Sequence, residues 1–69
     1  MWKKIDNNET YCNIKVGNLI SQKPNRRSGK FMVGSRKNDY LEIYHSDDHL
    51  DTIILLEGEL ISGDWYVNK

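Results

Sequence analysis

Sixty-nine residues with a mass of 8.1 kDa make room for one domain and one small core. A chain of this size hides only about 60% of its unfolded surface on folding and keeps a few kcal/mol of net stability. Charges balance at 10 basic against 10 acidic side chains. Two domains, a buried cofactor cavity and a transmembrane bundle are excluded on this arithmetic. The longest apolar run, Ile53 to Leu56, falls far short of the roughly 20 residues a membrane span needs. The apolar stretch that would follow Lys3 and Lys4 in a signal peptide is missing, and a single cysteine cannot close an internal disulfide. The expectation is therefore a soluble protein of a reducing, cytoplasmic compartment, with no membrane partner. Alanine is absent, while Ile, Lys and Asn occur seven times each. That skew fits an AT-rich genome, and very small proteins of this kind are common in bacteriophages.

Apolar residues recur mostly at a spacing of two, the period of a strand with one buried face. In Tyr11 to Val16 the apolar Cys12, Ile14 and Val16 alternate with Tyr11, Asn13 and Lys15, which predicts a strand with Cys12 as a small buried hydrophobe. Gly17 and Asn18 supply a turn able to adopt positive φ, and Leu19 and Ile20 resume the sheet. Gln22 to Gly29 contains no strongly apolar residue and holds the single proline, so it reads as an exposed loop. Lys30 to Lys37 places Phe31 and Val33 on one face and Met32 and Arg36 on the other. Asn38 and Asp39 then turn the chain into Tyr40 to His45, completing a hairpin with Leu41 and Ile43 inward and Tyr40, Glu42 and Tyr44 outward.

The segment from 47 to 57 supports two readings. Ser46 can cap a helix that begins at Asp47 and Asp48 and stops at Gly58. Thr52, Ile53 and Ile54 are consecutive β-branched residues that favour a strand over Thr52 to Leu56. Trp65 to Val67 forms the last strand, with Trp65 and Val67 inward. The fold class is thus all-β: a small five-stranded meander or partly closed barrel, with an α+β arrangement carrying one short helix near 47–57 as the alternative. The run Ile14, Lys15, Val16, Gly17, Asn18, Leu19, Ile20 resembles the strand and diverging turn of SH3-like barrels. Leu60 to Val67 resembles their closing helical turn and final strand. The resemblance implies an SH3-like barrel. The paired aromatic groove of peptide-binding members is not recognisable, so proline-rich ligands are not implied.

The neutral total conceals a separation of charge. Lys23, Arg26, Arg27, Lys30, Arg36 and Lys37 are followed by Asp39, Glu42, Asp47, Asp48, Asp51, Glu57, Glu59 and Asp64 with no Lys or Arg among them. A basic loop of this kind draws an anionic surface to itself, and the guanidinium groups of Arg26 and Arg27 suit carboxylate or phosphate. Tyr40 and Tyr44 offer rigid contact area, stacking surface or simple cross-strand packing. His45, Asp47, Asp48, His49 and Asp51 form the one cluster of candidate metal ligands, but their spacing matches no metal motif, and neither a metal nor a cofactor is expected. His45 beside Ser46 lacks a third group to orient the base, so no catalytic residues are assigned and no enzyme is expected.

These features lead to a non-enzymatic binding or inhibitory module that docks on a host or cognate protein. The binding residues would be Lys23, Arg26, Arg27, Lys30, Arg36, Lys37, Tyr40 and Tyr44, with Trp2 as a further anchor. The alternative is a small nucleic-acid-binding barrel using the basic 23–37 segment. Self-association through an open sheet edge, giving a homo-oligomer, is the third expectation.

Overall fold

A computed structural model describes residues 1–68, except for the side chains of residues 48–50. Six antiparallel strands form one open sheet: β1 (Trp2–Lys4), β2 (Leu19–Ser21), β3 (Lys30–Arg36), β4 (Tyr40–His45), β5 (Asp48–Leu56) and β6 (Tyr66–Asn68). Their order across the sheet is β1-β6-β2-β3-β4-β5, so the last strand lies between the first two and the ends of the sheet do not join. The two short helices are α1 (Asn8–Cys12) and α2 (Glu57–Ser62). The all-β class holds, with six strands rather than five; the additional one is β1, which only its pairing with β6 creates.

The segment expected as a strand from Tyr11 to Val16 is instead the end of α1 and a loop. Asn7 caps the helix by accepting the Thr10 N–H at 2.8 Å, a local bond that diverts the chain from extended pairing. The change of period from two to three or four keeps Ile14 inward as expected but exchanges Tyr11 with Cys12 and turns Val16 out. Tyr11 and Ile14 are buried, whereas Cys12 is exposed and Val16 is 65% exposed. The Tyr11 hydroxyl finds its partner by donating to the Lys37 carbonyl at 2.7 Å. Gly17 does take a positive φ of 95° in the turn that follows.

The β3–β4 hairpin forms where expected, and Leu41 and Ile43 point inward. A bulge between Val33 and Ser35 changes which face the end of β3 presents. Consequently Met32 and Arg36 do not share a face: Met32 pairs with Tyr44, while Arg36 pairs with buried Leu41 and its guanidinium lies 5.9 Å from the Tyr11 ring centroid. Gly34 sits at the bulge under the Tyr44 ring, where a Cβ would come within 3.0 Å of that ring. The 47–57 segment is a strand, longer than Thr52 to Leu56, and α2 begins where it ends. Glu59 accepts the Leu56 N–H at 3.0 Å and so starts the helix.

Ile20, Val33, Leu41, Ile43 and Val67 from one face of the sheet join Tyr11 of α1, Leu60 of α2, and Ile5, Ile14 and Trp65 in one core. Both helices therefore cover the same face, and an Asn8–Glu57 hydrogen bond ties them to each other. Phe31 lines this core at the β2–β3 end, edge-on to Trp65 at 5.8 Å and tilted by 35° against His45 at 4.6 Å. Trp65 and Val67 are inward as expected. No helix among the described residues is long and apolar enough to cross a membrane.

Candidate docking surface

The face of the sheet opposite the helices follows from register alone. Trp2 pairs with Asn68, Asn68 with Leu19, Leu19 with Met32, and Met32 with Tyr44. One row of side chains thus crosses five adjacent strands, about 19 Å at the usual spacing between strands. Trp2, Leu19, Met32 and Tyr44 in this row are half-buried, and the Tyr44 hydroxyl lies 3.1 Å from the Met32 sulfur. The neighbouring row, from Lys4 through Tyr66 and Ser21 to Lys30, brings in a third aromatic ring and two lysines. Burying such a face halfway keeps apolar area at the surface, where another molecule can remove it from water.

A basic loop rims one end of this face. Ser21 Oγ accepts the Lys23 N–H at 2.9 Å, and the Arg26 N–H closes a turn on the Lys23 carbonyl at 3.0 Å. Gln22 donates to the Gly63 carbonyl at 2.7 Å, anchoring the loop to the connection before β6, and the Lys30 ammonium donates to the Arg26 carbonyl. These bonds hold an open groove of about 570 Å³ between the loop and the sheet, lined by Trp2, Gln22, Lys23, Pro24, Arg26 and Tyr66. A smaller hollow of about 260 Å³ lies against it, reaching Ser28, Gly29 and Phe31. The Lys30 ammonium stands 5.7 Å from the Trp2 ring centroid, within cation–π range. Among the described residues, Lys23, Arg26 and Arg27 have no carboxylate within ion-pair distance. Their charge is therefore directed at solvent.

The expected binding residues divide into three groups. Lys23, Arg26, Arg27 and Lys30 stay together on the loop and at the start of β3. Arg36 and Lys37 lie at the other end of β3, about 20 Å away along seven residues of strand, beside Tyr11 and the turn to β4. Tyr40 and Tyr44 share the helix-free face of β4. Tyr44 belongs to the five-strand row, and Tyr40 pairs with Leu56 near the β5 edge. Leu19, Met32 and Tyr66 escaped the sequence reading because their neighbours in space are set by pairings 12 to 66 residues apart along the chain, as in Met32 with Tyr44 and Trp2 with Asn68. The available signals were the outward position of Tyr66, between inward Trp65 and Val67, and that of Met32, between inward Phe31 and Val33.

The chain is thus a small open antiparallel sheet, with two helices on one face and an aromatic, cation-rimmed surface on the other. No protein-family model, no curated protein and no solved structure matches it.

Among the ionisable groups of the described residues, two depart clearly from their ordinary behaviour. Burial pushes the Tyr11 phenol above its usual value of 10.0; the nearby Arg36 charge works in the opposite direction. Lys4 is raised by its hydrogen bond and charge attraction to Asp64, whose carboxylate is 3.0 Å away at the surface. The Ser46–Asp47 turn sets His45 opposite Asp48, while the side chains of Asp48 and His49, two of the cluster weighed as metal ligands, lie outside the described residues.

Proposed function

We propose that this protein is a non-enzymatic binding module that inhibits or recruits a larger protein by docking its helix-free sheet face on an acidic part of that partner's surface. The observation that carries this reading is the row Trp2–Leu19–Met32–Tyr44 with the uncompensated cations of Lys23, Arg26 and Arg27 at its rim. An apolar, aromatic centre flanked by exposed charge is the anatomy of a protein interface. A standard interface needs about 800 Å² from each partner, roughly a sixth of this chain's total surface of 4620 Å². The rim cations attract the partner from a distance and set its orientation, and the row supplies the area removed from water. A phage origin would make the partner a host protein.

The test is affinity capture from the natural host with three baits: the native chain, Arg26→Glu/Arg27→Glu, and Met32→Asp. The native bait is expected to retain one dominant protein that both variants lose. Retention unaffected by either variant removes this face from the reading.

Single-stranded nucleic acid is the second reading, favoured by the lysine standing over the Trp2 ring beside an open basic groove. Aromatic rings stack bases while cations hold the backbone. Four phosphate contacts, at Lys23, Arg26, Arg27 and Lys30, would give a log–log salt slope of about −3 for a labelled oligonucleotide. Absence of binding at low salt eliminates this alternative.

A further inference from the structure

β5 is an edge strand whose guards lie only toward its first half, where Asp48 and Asp51 stand and the pairing with β4 shifts register between the Ile43 and His45 pairs; from Thr52 to Leu56 it is unguarded. It runs for nine residues, and Ile53, Ile54 and Leu56 are 39%, 60% and 52% exposed. Sheet edges are ordinarily blunted by shortness, by lysine or proline on the strand, or by a covering element. From Asp48 to Leu56 there is no lysine and no proline.

The ladder determines which backbone groups face outward. The Lys37 N–H bonds to the Tyr40 carbonyl and the Ser46 N–H to the Lys30 carbonyl, so the even-numbered residues of β4 exchange bonds with β3. The Glu57 N–H bonds to the Asp39 carbonyl, which places the odd-numbered positions of β4 on the β5 side. In the β5 register Leu41 pairs with Leu55 and Ile43 with Ile53, and these pairs use the inner groups of β5. By the alternation of an antiparallel pair, the N–H and C=O of Ile54 point away from β4, toward the open edge, and so do those of Thr52, which is still extended next to Ile53, the last pair before the ladder shifts register.

We propose that the occupant of this edge is a second copy of the same chain, joined antiparallel along β5 across a two-fold axis through Ile53. This inference does not depend on the proposed function. Bonded pairs across the new seam must join outward-facing residues, so only registers that match even-numbered positions are allowed. With Ile53 on the axis, Thr52 exchanges hydrogen bonds with Ile54 of the second copy, Ile53 meets Ile53, and Asp51 meets Leu55. No carboxylate of the strand then stands opposite another. Sliding the register one way sets Asp51 against Glu57, two like charges. Sliding it the other way puts Thr52 on the axis and Asp51 against Ile53. Two registers therefore keep the strand's carboxylates apart, and the one through Ile53 is the one that centres an isologous seam on an apolar Ile53–Ile53 contact flanked by two bonded Thr52–Ile54 pairs. The product is a continuous sheet of twelve strands, six from each copy.

Charge around the seam predicts how it responds to salt. Asp39, Glu42, Asp51 and Glu57 lie beside this edge on β5, β4 and their connections. Two copies bring eight carboxylates together, so added salt screens their repulsion and strengthens the dimer.

Sedimentation of the full chain over a concentration series at low and high salt tests the proposal, together with amide hydrogen exchange in dilute and concentrated samples. A monomer–dimer equilibrium strengthened by salt is expected, with the Thr52 and Ile54 amides gaining protection as the dimer forms. Ile54→Lys places the usual edge guard on an exposed site and is expected to weaken association by about tenfold or more. Thr52→Pro removes a donor aimed at the seam in a position an edge strand tolerates, and is expected to weaken it likewise. A chain that stays monomeric throughout the series overturns the proposal. So does a dimer that both variants leave intact, or one that leaves the Thr52 and Ile54 amides unprotected.

Discussion

Strand β1 lasts three residues and carries exposed Lys3 and Lys4, whereas β5 lasts nine and carries exposed Ile53, Ile54 and Leu56. Both are edges of one sheet. At β1 the short length limits the row of free backbone groups, Lys4 pairs with Asp64 at the surface, and the Met1 amino group donates to the Asn68 side chain at 3.0 Å. At β5 the backbone groups face solvent between apolar side chains. Edge protection is thus a local property, decided strand by strand through length and side-chain charge. The same small core stands behind both edges, so their different behaviour must arise in the edges themselves.

The largest effect is expected from removing the support the two edges share. Leu41 is fully buried on the strand that holds β5, and Leu41→Ala should cost about 2–5 kcal/mol, comparable to the whole stability of a domain this size. The urea midpoint of a dilute sample reads this. Amides of β1 and β5 should lose exchange protection together; fraying confined to β5 would show that the edges have separate supports.

Tyr11→Phe comes next. It leaves the Lys37 carbonyl without its donor and should cost about 1–3 kcal/mol if that carbonyl stays dry. The tyrosine also sets a response to alkali. Because burial raises its folded-state pKa, the folded chain favours the neutral phenol. The stability this represents is present below the ordinary value of 10.0 and is lost as pH rises through the higher folded-state value. Urea midpoints measured from neutral to strongly alkaline pH should fall for the native chain and fall less for Tyr11→Phe. Equal slopes would contradict the assignment.

The smallest effects on stability belong to β1 itself. Lys4→Ala removes a solvent-exposed ion pair and should leave the urea midpoint in place. Lys3→Ile with Lys4→Ile tests the comparison more sharply, since it gives β1 the character of β5. Combined with Ile54→Lys, it should restore some self-association to a chain whose β5 edge is closed. A strictly monomeric triple variant would mean that the shortness of β1 is sufficient protection by itself.

Particular residues mark where the fold was legible. Period two identified the β3–β4 hairpin, the inward Leu41 and Ile43, and the final strand, because in each case the burial pattern and the ladder agree. Tyr11 to Val16 carries the same alternation and yet the chain is helical through Cys12. There a single capping bond from Asn7 outweighs a weak pattern, and the residue assigned to the core exchanges places with its neighbour. Met32 and Arg36 separated because a bulge at Gly34 inserts one residue into the count, which parity alone does not reveal. At the docking surface the basic loop was evident as a run of charge, and Tyr44 as an outward ring. Arg36 and Lys37 share that run in sequence but not in space, since an extended strand carries them away from the loop.

Composition and alternation by themselves determined that a small antiparallel sheet would form and that positive charge would gather in the loop from Lys23 to Lys30, because these follow from side-chain period and charge within a few residues; for Thr52 to Leu56 β-branching favoured a strand but left a helix open. Tertiary structure decided that Trp2 would reach Tyr44's row, that both helices would take the same face, and that β5 would be left at the margin. Strand order and register come from pairings between distant segments, and only the closed set of hydrogen bonds and the shared core select among them.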